Sequence, residues 1–355
     1  MWFALLDPLD CRGDCCFGIS LEKGGKVVKK IMLLSIFAFL WLSAFSGSSS
    51  NPSTFLLQQY DLNAGKGPVY GQSWSPDGLW LVTADYNQIR VWDMNSGQEV
   101  ISMKGHTDYI WGLAWSPNGE VVASASKDRS VRLWEMSGYS QVFQLQTGWA
   151  FCVSWSPDGS KIAVGTDSGS VQIWDSGSGR LLESFKGRYF SHVICLSWSP
   201  DGKTIAVGRL GGEIELFDAD TGLVQLTISR YTSARCDVNG LAWSPNGALL
   251  ATAHQDQKVR IWDGKTGQLL HTIIAHTGWV RGLAWSPDGQ WLASAGEDKK
   301  IILWDTKTWE RTVWHQHTLP IWSVAWSPDG TMIASGSGRY NVPHTGTTIV
   351  WKVPK

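Results

Sequence analysis

Trp74-Ser75-Pro76-Asp77-Gly78 recurs along the chain, with Asp or Asn in fourth place, starting at Trp115, Trp155, Trp198, Trp243, Trp285 and Trp326. The separations are 41, 40, 43, 45, 42 and 41 residues. A steady period of this size marks a chain built from copies of one supersecondary unit. Ser-Pro-Asp-Gly is turn chemistry, because Pro fixes φ at the second position and Gly takes the left-handed conformation that ends the turn. A short apolar run precedes each turn (Gly112-Leu113-Ala114-Trp115) and another follows it (Val121-Val122-Ala123-Ser124). A third run closes on an aromatic, as in Val131-Arg132-Leu133-Trp134 or Ile214-Glu215-Leu216-Phe217. After a polar turn comes a fourth run, such as Gln268 to Ile274. Each unit thus reads as four short strands joined by tight turns, with no helical period.

The ends of the repeat region decide between an open stack and a ring. Past Trp351 only Lys352 to Lys355 remain, so the seventh unit lacks a fourth strand. Ahead of Trp74, Thr54 to Tyr60 (TFLLQQY) is a strand to spare. A ring that lends its first strand to its last sheet leaves no exposed sheet edge. The expected fold is therefore all-β: a seven-bladed β-propeller over residues 53–353, closed by an N-terminal strand that completes the last blade.

Composition agrees with one large folded domain. Of 355 residues 43% are hydrophobic and 17% charged, which supplies a core and argues against disorder. Lys plus Arg number 30 against 31 Asp plus Glu, so no basic field exists to coat a nucleic acid, and no nucleic-acid partner is expected. The 23 Trp follow from the repetition. Cys11, Cys15 and Cys16 precede the repeats and Cys152, Cys195 and Cys236 lie among them, without a Cys-x-x-Cys pair. Neither a disulfide framework nor a zinc site follows from that spacing.

Residues 1–46 read as a targeting region and 47–52 as a linker. The apolar run Ile31 to Phe45 follows Lys26, Lys29 and Lys30 and is succeeded by Ser46-Gly47-Ser48-Ser49-Ser50. A basic flank, a short apolar core and small residues match a secretory signal better than a spanning helix, with Ala44 and Ser46 placed for cleavage before Gly47. The upstream stretch is long for a signal, which initiation at Val27 or Val28 would explain. The expectation is export, or anchoring in a membrane through this segment alone, with a cytoplasmic chain as the alternative.

The dipeptides Trp92-Asp93, Trp174-Asp175, Trp262-Asp263 and Trp304-Asp305, with Gly105-His106 ahead of a blade, make the chain resemble the WD-repeat β-propellers. The resemblance covers about 300 residues and departs at Trp134-Glu135, Phe217-Asp218 and Trp351-Lys352. It implies a structural tetrad in which His, Ser or Thr, Asp and Trp form a buried hydrogen-bond chain. Complete sets fall at His106, Ser124, Asp128 and Trp134, and at His276, Ser294, Asp298 and Trp304. The fifth blade keeps Thr252, Asp256 and Trp262 but has Ala234 in place of His; the seventh keeps His317, Ser335 and Trp351 without the Asp. Ser, His and Asp together suggest a hydrolase, but a nucleophile needs one exposed place with its base and oxyanion donors. A set complete in two blades and partial in others is a building device, so no catalytic residue is assigned. His315-Gln316-His317 has its second His in the tetrad position, so no metal and no cofactor is expected.

The resemblance further implies that the loops before each first strand open on one end of the ring. Partner positions there are Tyr70, Trp111, Phe151, Ile194, Asn239, Arg281 and Trp322, four residues before each repeating Trp, and, two residues earlier, Tyr109, Trp149, His192 and Trp279. Aromatics and Arg dominate, the types enriched at binding hot spots. The small residues that follow (Gly71, Gly112, Cys152, Cys195, Gly240, Gly282, Ser323) point to crowding at the ring axis. The function expected is a non-enzymatic scaffold presenting an aromatic and Arg-bearing face to a protein or peptide. The alternatives are an exported propeller enzyme of the hydrolase or lactonase type, and an envelope component resembling the TolB propeller.

Overall fold

The computed structural model describes residues 57–62 and 67–353, apart from 189, 229–235, 341, 343 and 344. The chain divides into Met1–Ser49 and Ser50–Lys355, and the second unit holds the repeats. The targeting region, the apolar run 31–45 and the linker lie outside the described residues, as does Ala234. Among the described residues no helix is long and apolar enough to cross a membrane.

Seven four-stranded antiparallel sheets make up the fold. Blade 2 is typical, with strands Ile110–Trp115, Val121–Ser126, Ser130–Glu135 and Ser140–Gln146 in spatial order. Blades 1 and 3 to 6 occupy residues 72–104, 150–186, 193–228, 238–274 and 280–316 in the same way. Blade 7 joins Ile321–Trp326, Met332–Ser337 and Thr347–Lys352 to Leu57–Leu62 as its outermost strand. The innermost strands touch in sequence around the axis, and that of blade 1 meets those of both blade 2 and blade 7, so the ring is closed.

The closing strand runs further along the chain than Thr54–Tyr60, to Leu62. Its register, Leu62 against Thr348 and Tyr60 against Val350, explains the shift. Strand residues two apart share a face. Leu62 is buried among Trp74, Leu81 and Val350, and Tyr60 packs on the same cluster. The Tyr60 hydroxyl donates to the Asn95 carbonyl at 3.1 Å, tying the last blade to the first.

Each repeated turn has one construction. In blade 1, Ser75 Oγ donates to Asp77 Oδ1 and accepts the Trp80 amide at 2.9 Å, while Gly78 takes φ 72°. The turns also stack on one another. Pro76 lies against Gly119, Pro117 against Gly159, and the series ends with Pro328 against Gly78. The leading Trp is a staple between blades: Trp155 Nε1 donates to the Ala114 carbonyl at 3.0 Å, and Trp74 Nε1 to Ala325 at 3.2 Å. Trp115 and Trp198 lack this bond. There the preceding blade carries Ser73 or Ser154, whose hydroxyl accepts the Trp backbone amide instead.

Near the axis, side-chain size is traded between the first and second strands. Gly112, Gly240 and Gly282 face Ala125, Ala253 and Ala295, whereas Cys152, Cys195 and Ser323 face Gly165, Gly208 and Gly336. Neighbouring blades approach too closely for more volume. A β-carbon on Gly240 would lie 2.8 Å from the Arg281 carbonyl oxygen. Close packing tolerates little overfilling, so one large and one small residue share each layer. Outside this layer the core sits between adjacent sheets, as where Leu133 and Val131 of blade 2 meet Val153, Ile162 and Trp174 of blade 3.

Candidate binding face

The end of the ring opposite the repeated turns owes its character to a β-bulge that the sequence does not announce. In blade 2 Ile110 pairs with Ser126 and Gly112 with Ala125, leaving Trp111 without a cross-strand partner. The register skips in the same way at Phe151, Ile194, Asn239, Arg281 and Trp322. A bulge inserts one residue and re-aims it. These six side chains are all partly exposed although their neighbours on either side pack in the sheet, and Tyr70, just before the short first strand of blade 1, is partly exposed as well.

Ring contacts join most of these positions. The Arg281 guanidinium lies between Trp279 and Trp322, 4.6 Å from each ring, and its Nε donates to Glu297 Oε1 at 3.0 Å. Trp322 donates to the Gly338 carbonyl at 2.9 Å and meets Tyr70 edge-on at 5.1 Å. Tyr70 reaches Tyr109 at 6.0 Å, which meets Tyr86 at 4.7 Å. Two residues beyond Tyr109, Trp111 stacks on Phe151 at 4.5 Å with 8° between the rings, and it also touches Trp149. Phe151 meets His192 at 5.6 Å, and Lys127 Nζ stands 5.3 Å over Trp149. The result is an aromatic arc of two contact runs. One leads from blade 6 through blades 7 and 1 to Tyr109, and the other from Trp111 through blade 3 to blade 4. The two-residue step from Tyr109 to Trp111 joins them.

Two of the sequence-derived positions stand outside the arc. Ile194 makes no ring contact among the described residues, and Asn239 is a brace, donating to the Val280 carbonyl at 2.9 Å and accepting from Arg281 at 3.4 Å. Three aromatics of this end escape the positional rule. Tyr86 occupies the turn after the second strand of blade 1 with φ 58°, and Tyr340 lies in the long loop of blade 7, where it meets Tyr70 and Trp322. Phe190, in the approach to blade 4, is 86% exposed. The signal for Tyr340 is loop length: it lies in a connection longer than its counterparts in the other blades, where function tends to gather.

The tetrads run through the interior of the sheets. His106 Nδ1 is 2.7 Å from Asp128, its Nε2 is 2.6 Å from Ser124 Oγ, and Trp134 Nε1 donates to that hydroxyl at 2.8 Å. The set at His276, Ser294, Asp298 and Trp304 has the same bonds. Burial lowers the His106 pKa. Burial also pushes the Asp128 carboxyl up, but His106, Ser130 and the Thr107 amide outweigh it and hold it well below the usual range. Ser124 and Ser294 are fully buried, so no substrate can reach either hydroxyl.

The incomplete blades improvise. In blade 5, His254 on the second strand brings Nε2 to 2.8 Å from Thr252 Oγ1, standing in for the absent His, and Asp256 turns to Arg260. Cys236, His254 and Asp256 offer ligand atoms within 4.8 Å of one another, a cluster the Cys spacing does not show. Both Asp256 oxygens accept from Arg260, so hydrogen bonds already engage this group. In blade 7, His317 Nε2 meets Ser335 at 2.7 Å, its buried Nδ1 has no partner among the described residues, and burial lowers its pKa to about 3. Blade 4 replaces the tetrad with a fully buried ion pair, Arg209 to Glu215 at 2.7 Å.

Residues 68–263 match the family described as the IFT122 first beta-propeller, and residues 267–305 and 309–352 match the WD domain, G-beta repeat. The chain belongs to the WD-repeat β-propeller family. Among its relatives, Coronin-7 of Bos taurus is 38% identical over 65 residues, 18% of this chain and 7% of that protein. A WD repeat-containing protein of Synechocystis sp. is 44% identical over 62 residues, 17% of this chain and 18% of that one. The Intraflagellar transport protein 122 homolog of Xenopus tropicalis is 35% identical over 66 residues, 19% of this chain and 6% of that one. Each likeness therefore spans only a small part of the relative. It marks this WD-repeat propeller as similar in its repeating unit.

Proposed function

We propose that this WD-repeat protein is a non-enzymatic interaction scaffold that captures a protein or peptide on the aromatic end of its ring. One observation carries the reading: bulge positions of successive blades bring partly exposed rings into contact across the blade boundaries. Contiguous Trp, Tyr and Arg on a rigid frame is the composition of a binding hot spot. WD-repeat propellers generally bind protein partners, which supports the same reading. Burial of both complete Ser-His-Asp sets speaks against the hydrolase alternative.

Alanine at Trp111, Trp279 or Trp322 tests it. Each should weaken capture of partners from the native extract by about 2 kcal/mol or more. Stability should fall by less than the roughly 3–5 kcal/mol of a core Trp. Core-sized losses in urea unfolding at all three positions, with capture intact in what still folds, would refute the reading. We also propose that the run 31–45 exports or anchors the chain. N-terminal sequencing of protein from its native host checks this, and a soluble cytosolic chain beginning at Met1 would overturn it.

A further inference from the structure

We propose that the aromatic end takes an acidic peptide segment, an inference that rests on that end being the partner site. The carboxylates of that end are largely engaged within the protein. Asp128 and Asp298 are held by the tetrad His residues, and Glu297 by Arg281. Asp256 is paired with Arg260, and Asp237 accepts from the Gly211 amide at 2.7 Å. Asp108 accepts only the adjacent Tyr109 amide, at 2.8 Å, and Asp167 has no such bond to its carboxylate among the described residues.

The cations of the same loops are placed in the opposite way. Lys127, Arg129, Arg188, Lys299 and Arg339 pair with no carboxylate among the described residues. Arg129, Arg188 and Arg339 are exposed. Lys127 lies over Trp149, so one cation is already positioned at the aromatic arc. Arg129, two residues on, has φ 69°, which fixes its tight turn. The capacity left for a partner is therefore mostly donor and positive, and it borders apolar rings. An extended segment alternating Asp or Glu with apolar side chains meets both demands. Its apolar groups would cover the Trp111–Phe151 stack, and its carboxylates would reach the rim cations. Such pairing sets specificity and encounter rate, and like charge opposite like charge costs binding.

The test is selection of a random displayed peptide library on the immobilised full-length chain. The recovered peptides should be rich in Asp and Glu, and capture should weaken as ionic strength rises. It should fall about tenfold or more on the double charge reversal Lys127→Glu with Arg129→Glu, a surface change that leaves the urea midpoint in place. Peptides lost on Trp111→Ala but neutral in composition and indifferent to charge reversal overturn the acidic partner while the aromatic site stands. Peptides indifferent to Trp111→Ala overturn the site itself, and with it this inference. Recovery of basic peptides, or of none, overturns the proposal as well.

Discussion

Gly165 faces Cys152 across the first two strands of blade 3, so closely that a β-carbon on Gly165 would lie 2.5 Å from the Cys152 sulfur. Blade 2 meets the same space with the opposite assignment, Gly112 against Ala125. Gly165→Ala alone should therefore destabilise by about 1–3 kcal/mol through overpacking. Adding Cys152→Gly should recover most of that loss. Val193 also crowds the site, but Val280 accommodates Ala253 in blade 5. Urea unfolding of both singles and the double closes the cycle. Simple additivity would show that the two positions do not share one volume.

Ring closure rests on contacts between the chain's extremes. Trp74 donates to Ala325, 251 residues away, and Gln72 Nε2 to the Ala334 carbonyl at 2.8 Å. Outside them, Leu57–Leu62 covers the edge of the last blade. Deleting residues 57–62 should lower the thermal midpoint and promote aggregation, because it bares a strand edge and removes buried Leu62. Leu62→Ala, which keeps the strand, should cost about 2–5 kcal/mol. A truncated protein with unchanged midpoint and solubility would mean that the outer strand does not hold the ring.

The ion pair of blade 4 is inaccessible on both sides, and Arg209 also donates to the Gly169 and Ser191 carbonyls at 2.9 and 3.0 Å. Arg209→Met leaves Glu215 charged and buried, which should cost about 3–5 kcal/mol. Replacing both, Arg209→Met with Glu215→Leu, should cost far less, because desolvation offsets much of what a buried pair contributes. A double variant as unstable as the single would place the value of the pair in its carbonyl bonds.

Acid should weaken the fold through the improvised histidines. Burial holds His317 near 3, against 6.5 for a free imidazole; burial and Arg260 do the same for His254. Depressed folded values mean that the native state refuses a proton the unfolded chain accepts. Their contribution is thus full above about pH 6.5 and is lost as pH falls toward 3, by up to about 1.4 kcal/mol per pH unit for each proton. His317→Gln removes one such proton and should flatten the fall of the unfolding midpoint between pH 6 and 4. Matching acid limbs in variant and parent would exclude His317.

Much of this was legible because turns and tight layers have local causes. Ser75, Pro76, Asp77 and Gly78 form the same turn in every copy, and the small residues from Gly71 to Ser323 mark the axis without reference to any other blade. The tetrads could be placed because their spacing from the repeated Trp is constant. The replacement of a missing tetrad His by His254 could not, since it comes from a different strand. Nor could the end of the closing strand at Leu62, which register against Thr348 decides. The bulge has no composition of its own, as Trp111, Ile194 and Asn239 at one position show.

The sequence by itself determined the number of blades, the order of strands and the need for a ring, because period, turn chemistry and a spare strand are properties of the chain read in line. Tertiary structure alone decided which aromatics meet. Trp279, Arg281, Trp322 and Tyr70 come from three blades and both ends of the repeat region, and only closure brings them within ring-contact distance. It also decided that Asp256 faces Arg260 and that Phe190 stands in solvent. Those outcomes depend on where neighbouring sheets and loops leave space, which no single repeat encodes.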